Sequence, residues 1–416
     1  MTGCLVLTVS PGSLIGSADE AGRLVALALS AQGIPIASRQ IVDEEEPAVE
    51  AALRWGVEAH GLTVILSPSG GAAGEVVRRV LARVTGTRLV LNERLLAALE
   101  AAHARRGRAM PRRLDRLALL PQGATLWAVE DAQTAWLLET GQTAVAVLPH
   151  DPAVLPALVT RHLISVARER FSGKDVVVLR TLRVVGLDPG QVEERLGDWL
   201  HRDTPVAMTC LSVEGEVWVR LRARASSLPV AEAALREVEG QIAATLGEDC
   251  YGRDQDSLEV VVGRLLRDRN LTLSVAESCT GGLLSHRITN VPGSSAYFER
   301  GVVTYSNRAK EELLKVPPKL LVAHGAVSAP VAEAMARGIC RVTGTPLGLA
   351  ITGVAGPDGG TPAKPVGTVY IALATPEDAS SQRFNFGGGR EAVKWQSSQV
   401  ALDLLRRYLL RSEARE

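Results

Sequence analysis

Apolar positions along this chain recur with two periods, and the way the periods alternate divides it into three parts. In residues 1–170, short β-branched or leucine-rich runs alternate with helical stretches. Residues 4–9, 62–67 and 144–148 predict strands. Residues 20–32, with Leu24, Leu27 and Leu29 among their apolar positions, and residues 76–84 predict helices. Strands separated by helices predict a three-layer α/β domain with a mainly parallel sheet, whose ligands sit at the carboxyl ends of the strands.

Residues 171–252 read differently. A long alternating strand is expected over 175–185 and a helix over 189–200, entered through Asp188. Residues 207–213 and 217–224 predict a hairpin around Glu214-Gly215-Glu216. A helix over 229–246 places Val230, Ala233, Leu235 and Val238 on its buried face. This order makes a small α+β module.

Residues 253–416 return to an α/β pattern. Leu258, Val261, Val262, Leu265 and Leu266 mark one face of a helix. Strands follow at 271–275, 301–306, 347–351 and 368–374, with helices near 281–287, 308–314 and 330–342. A last helix, 391–410, repeats Val393, Val400, Ala401, Leu404, Leu405 and Tyr408.

Composition narrows the class. Apolar residues make up 46% of the chain, which excludes a disordered protein. Lysine plus arginine equals aspartate plus glutamate, 46 against 46, and aromatics are only 4%, so neither a basic patch nor a stacking platform points to nucleic acid. Cys4, Cys210, Cys250, Cys279 and Cys340 are scattered, without a CxxC spacing, and suit a reduced cytoplasmic interior. The N-terminus has no basic leader region and reads as a first strand. No apolar run approaches the ~18 residues of a membrane span.

The candidate chemistry sits at strand-to-helix junctions of the last part. Ala276-Glu277-Ser278-Cys279-Thr280-Gly281-Gly282 follows a predicted strand and opens a predicted helix. A serine there meets free backbone N–H groups at a positive helix end, which favours an alkoxide or oxyanion. The glycines allow close approach of a substrate. An ordinary capped helix start would use the same residues. Cys279 is either a competing nucleophile or a small buried hydrophobe.

Tyr305-Ser306-Asn307-Arg308-Ala309-Lys310 lies at the next such junction. With Asn307 as N-cap, Lys310 falls in the first helical turn. The helix dipole then disfavours its ammonium form and suits it to general-base work. Tyr305 is positioned to relay or anchor the proton. A solvated lysine and a core tyrosine are the alternative. Thr352-Gly353-Val354-Ala355-Gly356-Pro357 opens a long Gly/Pro loop at a strand's carboxyl end, where a pocket wall or a plain connection belongs. Gly387-Gly388-Gly389-Arg390 precedes the last helix and suits a phosphate, or is a glycine turn with a solvated arginine.

Three stretches carry a family resemblance. They are AESCTGGLLSHRITNVPGSSAYFERGVVTYSNRAKEELL from Ala276, His324-Gly325-Ala326-Val327-Ser328, and TGVAGPDGGTPAKPVGTVYIALA from Thr352. In this order they resemble the C-terminal domain of the competence/damage-inducible CinA family. The resemblance implies a nicotinamide-nucleotide amidase, hydrolysing nicotinamide mononucleotide to nicotinate mononucleotide and ammonia. It implies a serine–lysine mechanism assisted by tyrosine, and places these roles on Ser278, Lys310 and Tyr305. The amidase needs no metal or other cofactor. Backbone N–H groups near Thr280, Gly281 and Gly282, or near Thr352 and Gly353, are expected to hold the oxyanion, with Gly356 completing the substrate site and Arg390 on the 5′-phosphate.

The middle module is similar to the family's KH-like domain, entered by Arg180-Thr181-Leu182-Arg183 and Gly186. It lacks the GXXG loop that clamps nucleotides, so a spacer or dimerisation element is expected. The first domain resembles the family's molybdopterin-binding-like domain, which hydrolyses ADP-ribose with a divalent metal. Here Gly12-Ser13-Leu14-Ile15-Gly16, then Asp19-Glu20-Ala21, and Gly70-Gly71-Ala72-Ala73-Gly74-Glu75 replace the family's carboxylate-bearing motifs, and Gln133-Thr134-Ala135-Trp136 a further one. Without carboxylates to hold the ion against phosphate oxygens, loss of that activity is expected, residual ADP-ribose hydrolysis being the alternative. The resemblance also suggests a homodimer. It offers a second class of function: a regulatory or scaffold protein of competence or DNA repair acting through a partner such as RecA.

Overall fold

The computed structural model describes residues 3–10, 19–69, 71–107, 109–130, 133–141, 143–172, 175–200, 205–213 and 215–413. The chain is a mixed α/β protein that divides into two units, Met1–Leu179 with Arg222–Arg236 and Arg180–Leu221 with Glu237–Glu416. Among the described residues no helix is long and apolar enough to cross a membrane.

The first unit opens with β1 (Cys4–Val9), α1 (Glu20–Ser30), β2 (Ile36–Val42), α2 (Glu46–Ala59), β3 (Leu62–Leu66) and α3 (Gly71–Val84). It continues with β4 (Leu89–Leu91), α4 (Glu93–Arg105), β5 (Leu119–Pro121), β6 (Thr125–Glu130), β7 (Gln133–Thr140) and β8 (Thr143–Leu148). After these, α5 (Leu155–Leu158) runs through a π turn at Val159–Leu163 into α6 (Ile164–Arg170). The main sheet has the order β2-β1-β3-β8-β7-β6. β2, β1, β3 and β8 pair in parallel, and β7 and β6 antiparallel. β1, β3 and β8 are buried along their whole length, as parallel strands covered on both faces must be. One core packs Val25 and Leu29 of α1 against Val6, Val64 and Ala146, while Leu5, Ile65 and Val145 face Leu53 and Leu81 on the other side.

Two differences from the expectations appear here. An edge strand, Ile36–Val42, precedes the expected strand at 62–66, and its half-exposed residues lack a clear apolar signal. Leu27 of α1 is exposed, and Val25 takes its place in the core.

The small module comprises β9 (Val176–Val184), α7 (Pro189–Arg195), α8 (Gly197–Leu200), β10 (Val206–Val213), β11 (Glu216–Ala225), α9 (Leu228–Leu246) and β12 (Cys250–Arg253), with sheet order β10-β11-β9-β12. Asp188 closes a capping box with Gln191, which starts α7 where the sequence placed it. Leu196 breaks the expected single helix in two. Glu214 lies outside the described residues. Glu216 is not a turn residue: it is buried in β11, where the Tyr251 hydroxyl donates to it and Arg183 donates at 3.2 Å. On α9 the buried face is Ala231, Leu235, Ile242 and Leu246; Val230 is 55% exposed and Ala233 is exposed as well.

The chain then forms α10 (Leu258–Asp268), β13 (Leu273–Glu277), α11 (Leu283–Thr289), β14 (Phe298–Val303), α12 (Asn307–Leu314), α13 (Pro318–His324) and α14 (Ala329–Thr343). β15 (Leu347–Gly353), β16 (Thr368–Ala374), β17 (Ala379–Asn385) and α15 (Arg390–Glu413) complete it. The sheet order is β14-β13-β15-β16-β17. β13 lies between β14 and β15 and is parallel to both, while β16 and β17 run antiparallel. After β13 the chain goes to one side of it, and after β14 it crosses to the other. The carboxyl end of β13 is therefore the switch point at which open α/β sheets form a ligand crevice.

Candidate active site

Ser278 is the first residue beyond β13, and its N–H donates to Ile351 O of β15 at 2.9 Å. Thr304 is the first beyond β14, and its N–H donates to Glu277 O at 2.7 Å. These two bonds extend the parallel ladders by one residue and set the serine level with the end of the neighbouring strand. From Thr304 the chain turns into α12, capped by Ser306, whose hydroxyl accepts from Ala309 N at 3.1 Å. The expected cap, Asn307, is instead the first helical residue; both types cap well, and the serine comes first.

Lys310, on that first turn, points back under the strand ends. Its Nζ lies 3.1 Å from Ser278 Oγ and donates to Thr304 O at 2.7 Å. The side chain is 1% exposed, and no carboxylate pairs with it among the described residues. Burial lowers its pKa below the ordinary lysine value, and the Cys279 thiol opposes that shift. Desolvation, more than the helix dipole, is thus what favours the neutral amine. Ser278 is itself buried. Cys279 is buried against Leu284 and Val275, and burial pushes its thiol up to about 12, so it is a protonated core residue at neutral pH.

Gly281 and Gly282 do not belong to the helix, as the sequence pattern suggested. Both take left-handed conformations, φ +62° and +98°, and α11 starts at Leu283. Their N–H groups are engaged: Gly281 donates to Ser278 O at 3.1 Å, and Gly282 to Glu277 Oε2 at 3.0 Å. Oxyanion donation by these two glycines is therefore corrected. The N–H groups of Cys279 and Thr280, beside the nucleophile, go to no backbone carbonyl among the described residues. The Thr280 hydroxyl is buried without a partner among them.

Sequence reasoning missed Glu277. Its buried carboxylate accepts from Gly282 N, from Leu284 N at 3.1 Å, and from Ser285 N and Oγ at 2.8 and 2.6 Å. It thereby satisfies the start of α11 and anchors the turn that carries Ser278. The only hint in the sequence is an acidic residue a few positions before a helix.

Tyr305 is 61% exposed and does not stand between Ser278 and Lys310. Its hydroxyl accepts from Arg390 Nη2 at 3.2 Å, and Arg390 Nη1 donates to Gly356 O at 2.7 Å. Arg390 is the first residue of α15, so one guanidinium links the loop after β14, the Gly/Pro loop after β15 and the last helix. Gly356 must be glycine: its φ is +84°, and a Cβ there would lie 2.6 Å from Val366. Thr352 is buried, and its hydroxyl donates to Ala326 O at 2.8 Å, tying the 324–328 loop to the strand end. Its backbone faces β16, which corrects its expected role as an oxyanion donor, whereas Gly353, two residues after the Ile351 carbonyl that accepts from Ser278 N, faces the Ser278 side of β15.

Residues 255–409 match the CinA C-terminal domain, and residues 179–252 match the damage-inducible protein CinA KH domain. A CinA-like protein of Geobacter sulfurreducens is 39% identical over 394 residues, covering 94% of this chain and 95% of that protein. The chain belongs to the CinA family. A putative competence-damage inducible protein of Symbiobacterium thermophilum is 37% identical over 92% of each chain. A solved CinA superfamily protein from Klebsiella pneumoniae is 37% identical, and the match covers 37% of this chain and 96% of that one with a TM-score of 0.36.

In this CinA family member no cluster of histidine, cysteine, aspartate and glutamate side chains among the described residues could hold a metal ion. Gly12–16 of the altered motif and Gly70 lie outside the described residues. Asp19 caps α1, accepting from Gly22 N at 2.9 Å and Thr8 Oγ1 at 3.0 Å, and pairs with Arg39. Glu75 pairs with Arg116 at 3.5 Å. The cleft at the end of β3 is lined by Ser67, Ser69, Arg78, Thr134 and Trp136, and a buried guanidinium does not fit a divalent cation.

Proposed function

We propose that the C-terminal part, residues 253–416, hydrolyses the carboxamide of nicotinamide mononucleotide, with Ser278 as nucleophile and Lys310 as general base. The observation that carries this reading is the 3.1 Å contact between Ser278 Oγ and a buried, unpaired Lys310 Nζ. A lysine desolvated in this way is poised to accept the serine proton.

Ser278 Oγ attacks the carboxamide carbon as its proton passes directly to Lys310. The tetrahedral oxyanion is held by the N–H groups of Cys279 and Thr280. When the C–N bond breaks, Lys310 returns that proton to the departing nitrogen, and ammonia leaves. Water, deprotonated by Lys310, then attacks the acyl ester; as the C–O bond breaks, Lys310 returns the proton to Ser278 Oγ and nicotinate mononucleotide is freed. Arg390, steadied by Tyr305, holds the 5′-phosphate at the mouth. In this reading Tyr305 serves the phosphate end and not the proton transfer. The N-terminal unit contributes no pyrophosphatase chemistry.

The test is ammonia release by the full chain from a panel of nicotinamide mononucleotide, nicotinamide riboside, nicotinamide, glutamine and asparagine. Preference for the mononucleotide is expected. Equal rates on all five, or none on any, would reject the substrate assignment.

A further inference from the structure

Gly387-Gly388-Gly389 leads from β17 into α15 and delivers Arg390. Three consecutive glycines have the most backbone freedom to lose, so the loop needs something outside itself to hold it. Side chains do not pack on it closely: a Cβ at Gly387 or Gly389 would meet nothing within 4 Å. Its entry is fixed by Phe386 N, which donates to Gly367 O at 2.9 Å, and its exit by Gly389 O, which accepts from Val393 N at 3.0 Å. Between these points the bond comes from Gln396, on the second turn of α15. Its Nε2 donates to Gly387 O at 2.9 Å and to Ala392 O at 3.1 Å. In a trans peptide the N–H points opposite to the C=O, so this bond turns the Gly388 N–H away from Gln396. That N–H goes to no backbone carbonyl among the described residues.

Gln396 is itself backed by the small module. Gly215, at the turn between β10 and β11, has φ +84°, and a Cβ there would lie 3.3 Å from Gln396 Cγ. The turn comes this close only because the residue is glycine. About two turns further along α15 stands Asp403, 7% exposed. It accepts from Arg406 Nε at 2.9 Å and Arg407 Nε at 2.7 Å. Those arginines in turn donate to Glu248 O and Asp249 Oδ1, each at 2.6 Å. Gly215, Glu248, Asp249 and α15 belong to the same unit as Ser278. The helix that begins with Arg390 is therefore held by the small module at two separate points.

We propose that Gln396 is a positioning residue for the phosphate end of the substrate, and that the β10–β11 turn, acting through it, is a working part of the amidase. The proposal rests on the reading in which Arg390 holds the 5′-phosphate. Gln396 fixes the Gly387 carbonyl, the Gly388 N–H is left to join Arg390 on the phosphate, and Gly215 keeps the glutamine side chain in place. The small module is on this account more than a spacer.

The test is steady-state ammonia release by the full chain from nicotinamide mononucleotide and nicotinamide riboside. Gln396→Met keeps the packing against Gly215 but has no donor. It should raise KM for the mononucleotide about 3- to 10-fold at unchanged kcat, and leave turnover of the riboside as it was. Gly215→Ala should also raise KM for the mononucleotide, yet add nothing in a Gln396→Ala background, where no Cγ is left for the new methyl group to meet. A Gly215→Ala effect of equal size in both backgrounds would be strain in the turn alone and would overturn the coupling. An unchanged KM in Gln396→Met, a fall in kcat instead, or equal losses on both substrates would overturn Gln396 as a positioning residue. No release from the mononucleotide by wild type rejects the amidase reading itself, and this proposal with it.

Discussion

Lys310 Nζ and Ser278 Oγ are 3.1 Å apart although 32 residues separate them in the chain. Adjacent parallel strands in register achieve this. Glu277 pairs with Val303, so the residues that follow leave the sheet at one level, and α12 returns Lys310 beneath them.

The pair fixes the pH dependence of the proposed reaction. The base must be neutral, so kcat/KM should rise with pH through the lowered lysine pKa and then level off. Replacement by methionine should lower kcat by about 10²–10⁴-fold. A pH–rate profile that falls with rising pH would contradict Lys310 as the base.

The same shift makes a stability prediction. The folded-state pKa of Lys310 is depressed, so between it and the higher unfolded value the unfolded chain binds more protons. Stability contributed by this group therefore rises with pH across that window, and each unit of depression corresponds to about 1.4 kcal/mol. Lys310→Met should unfold at equal or higher urea concentration than wild type at pH 7 while being inactive. A large loss of stability would mean that the ammonium form is the structural one.

Glu277 is predicted to hold the nucleophile turn. Glu277→Gln keeps the shape but turns an NH₂ group toward backbone N–H donors, and should cost about 1–3 kcal/mol in urea unfolding. It should also lower kcat, because Ser278 is the next residue. Wild-type stability in this variant would show that the four hydrogen bonds contribute nothing net.

Arg390→Ala should raise KM for nicotinamide mononucleotide about 10- to 100-fold with little change in kcat. Tyr305→Phe should shift KM in the same direction by less. Neither should affect turnover of nicotinamide riboside, which has no phosphate. A collapse of kcat in Tyr305→Phe would instead put the phenol in the proton path.

Much of the C-terminal fold was legible. Thr368–Ala374 matches its expected bounds, and α12 and α14 differ from theirs by a residue at each end or less, because their apolar spacing is set by burial against one sheet. The edge strand Ala379–Asn385 escaped notice, since an edge with one polar face has no continuous apolar run. Ile36–Val42 was missed for the same reason. At the site, Ser278 and Lys310 stood out by their junction positions. Glu277 did not, because a sequence does not show whether a strand-end carboxylate faces solvent or a helix start. Nor did it show that Tyr305 turns outward to Arg390.

The most direct measurement is ammonia release from nicotinamide mononucleotide by wild type and Ser278→Ala, each verified as folded by circular dichroism. Steady release by wild type and only background release by the variant are expected. Equal release by both would contradict Ser278 as the nucleophile.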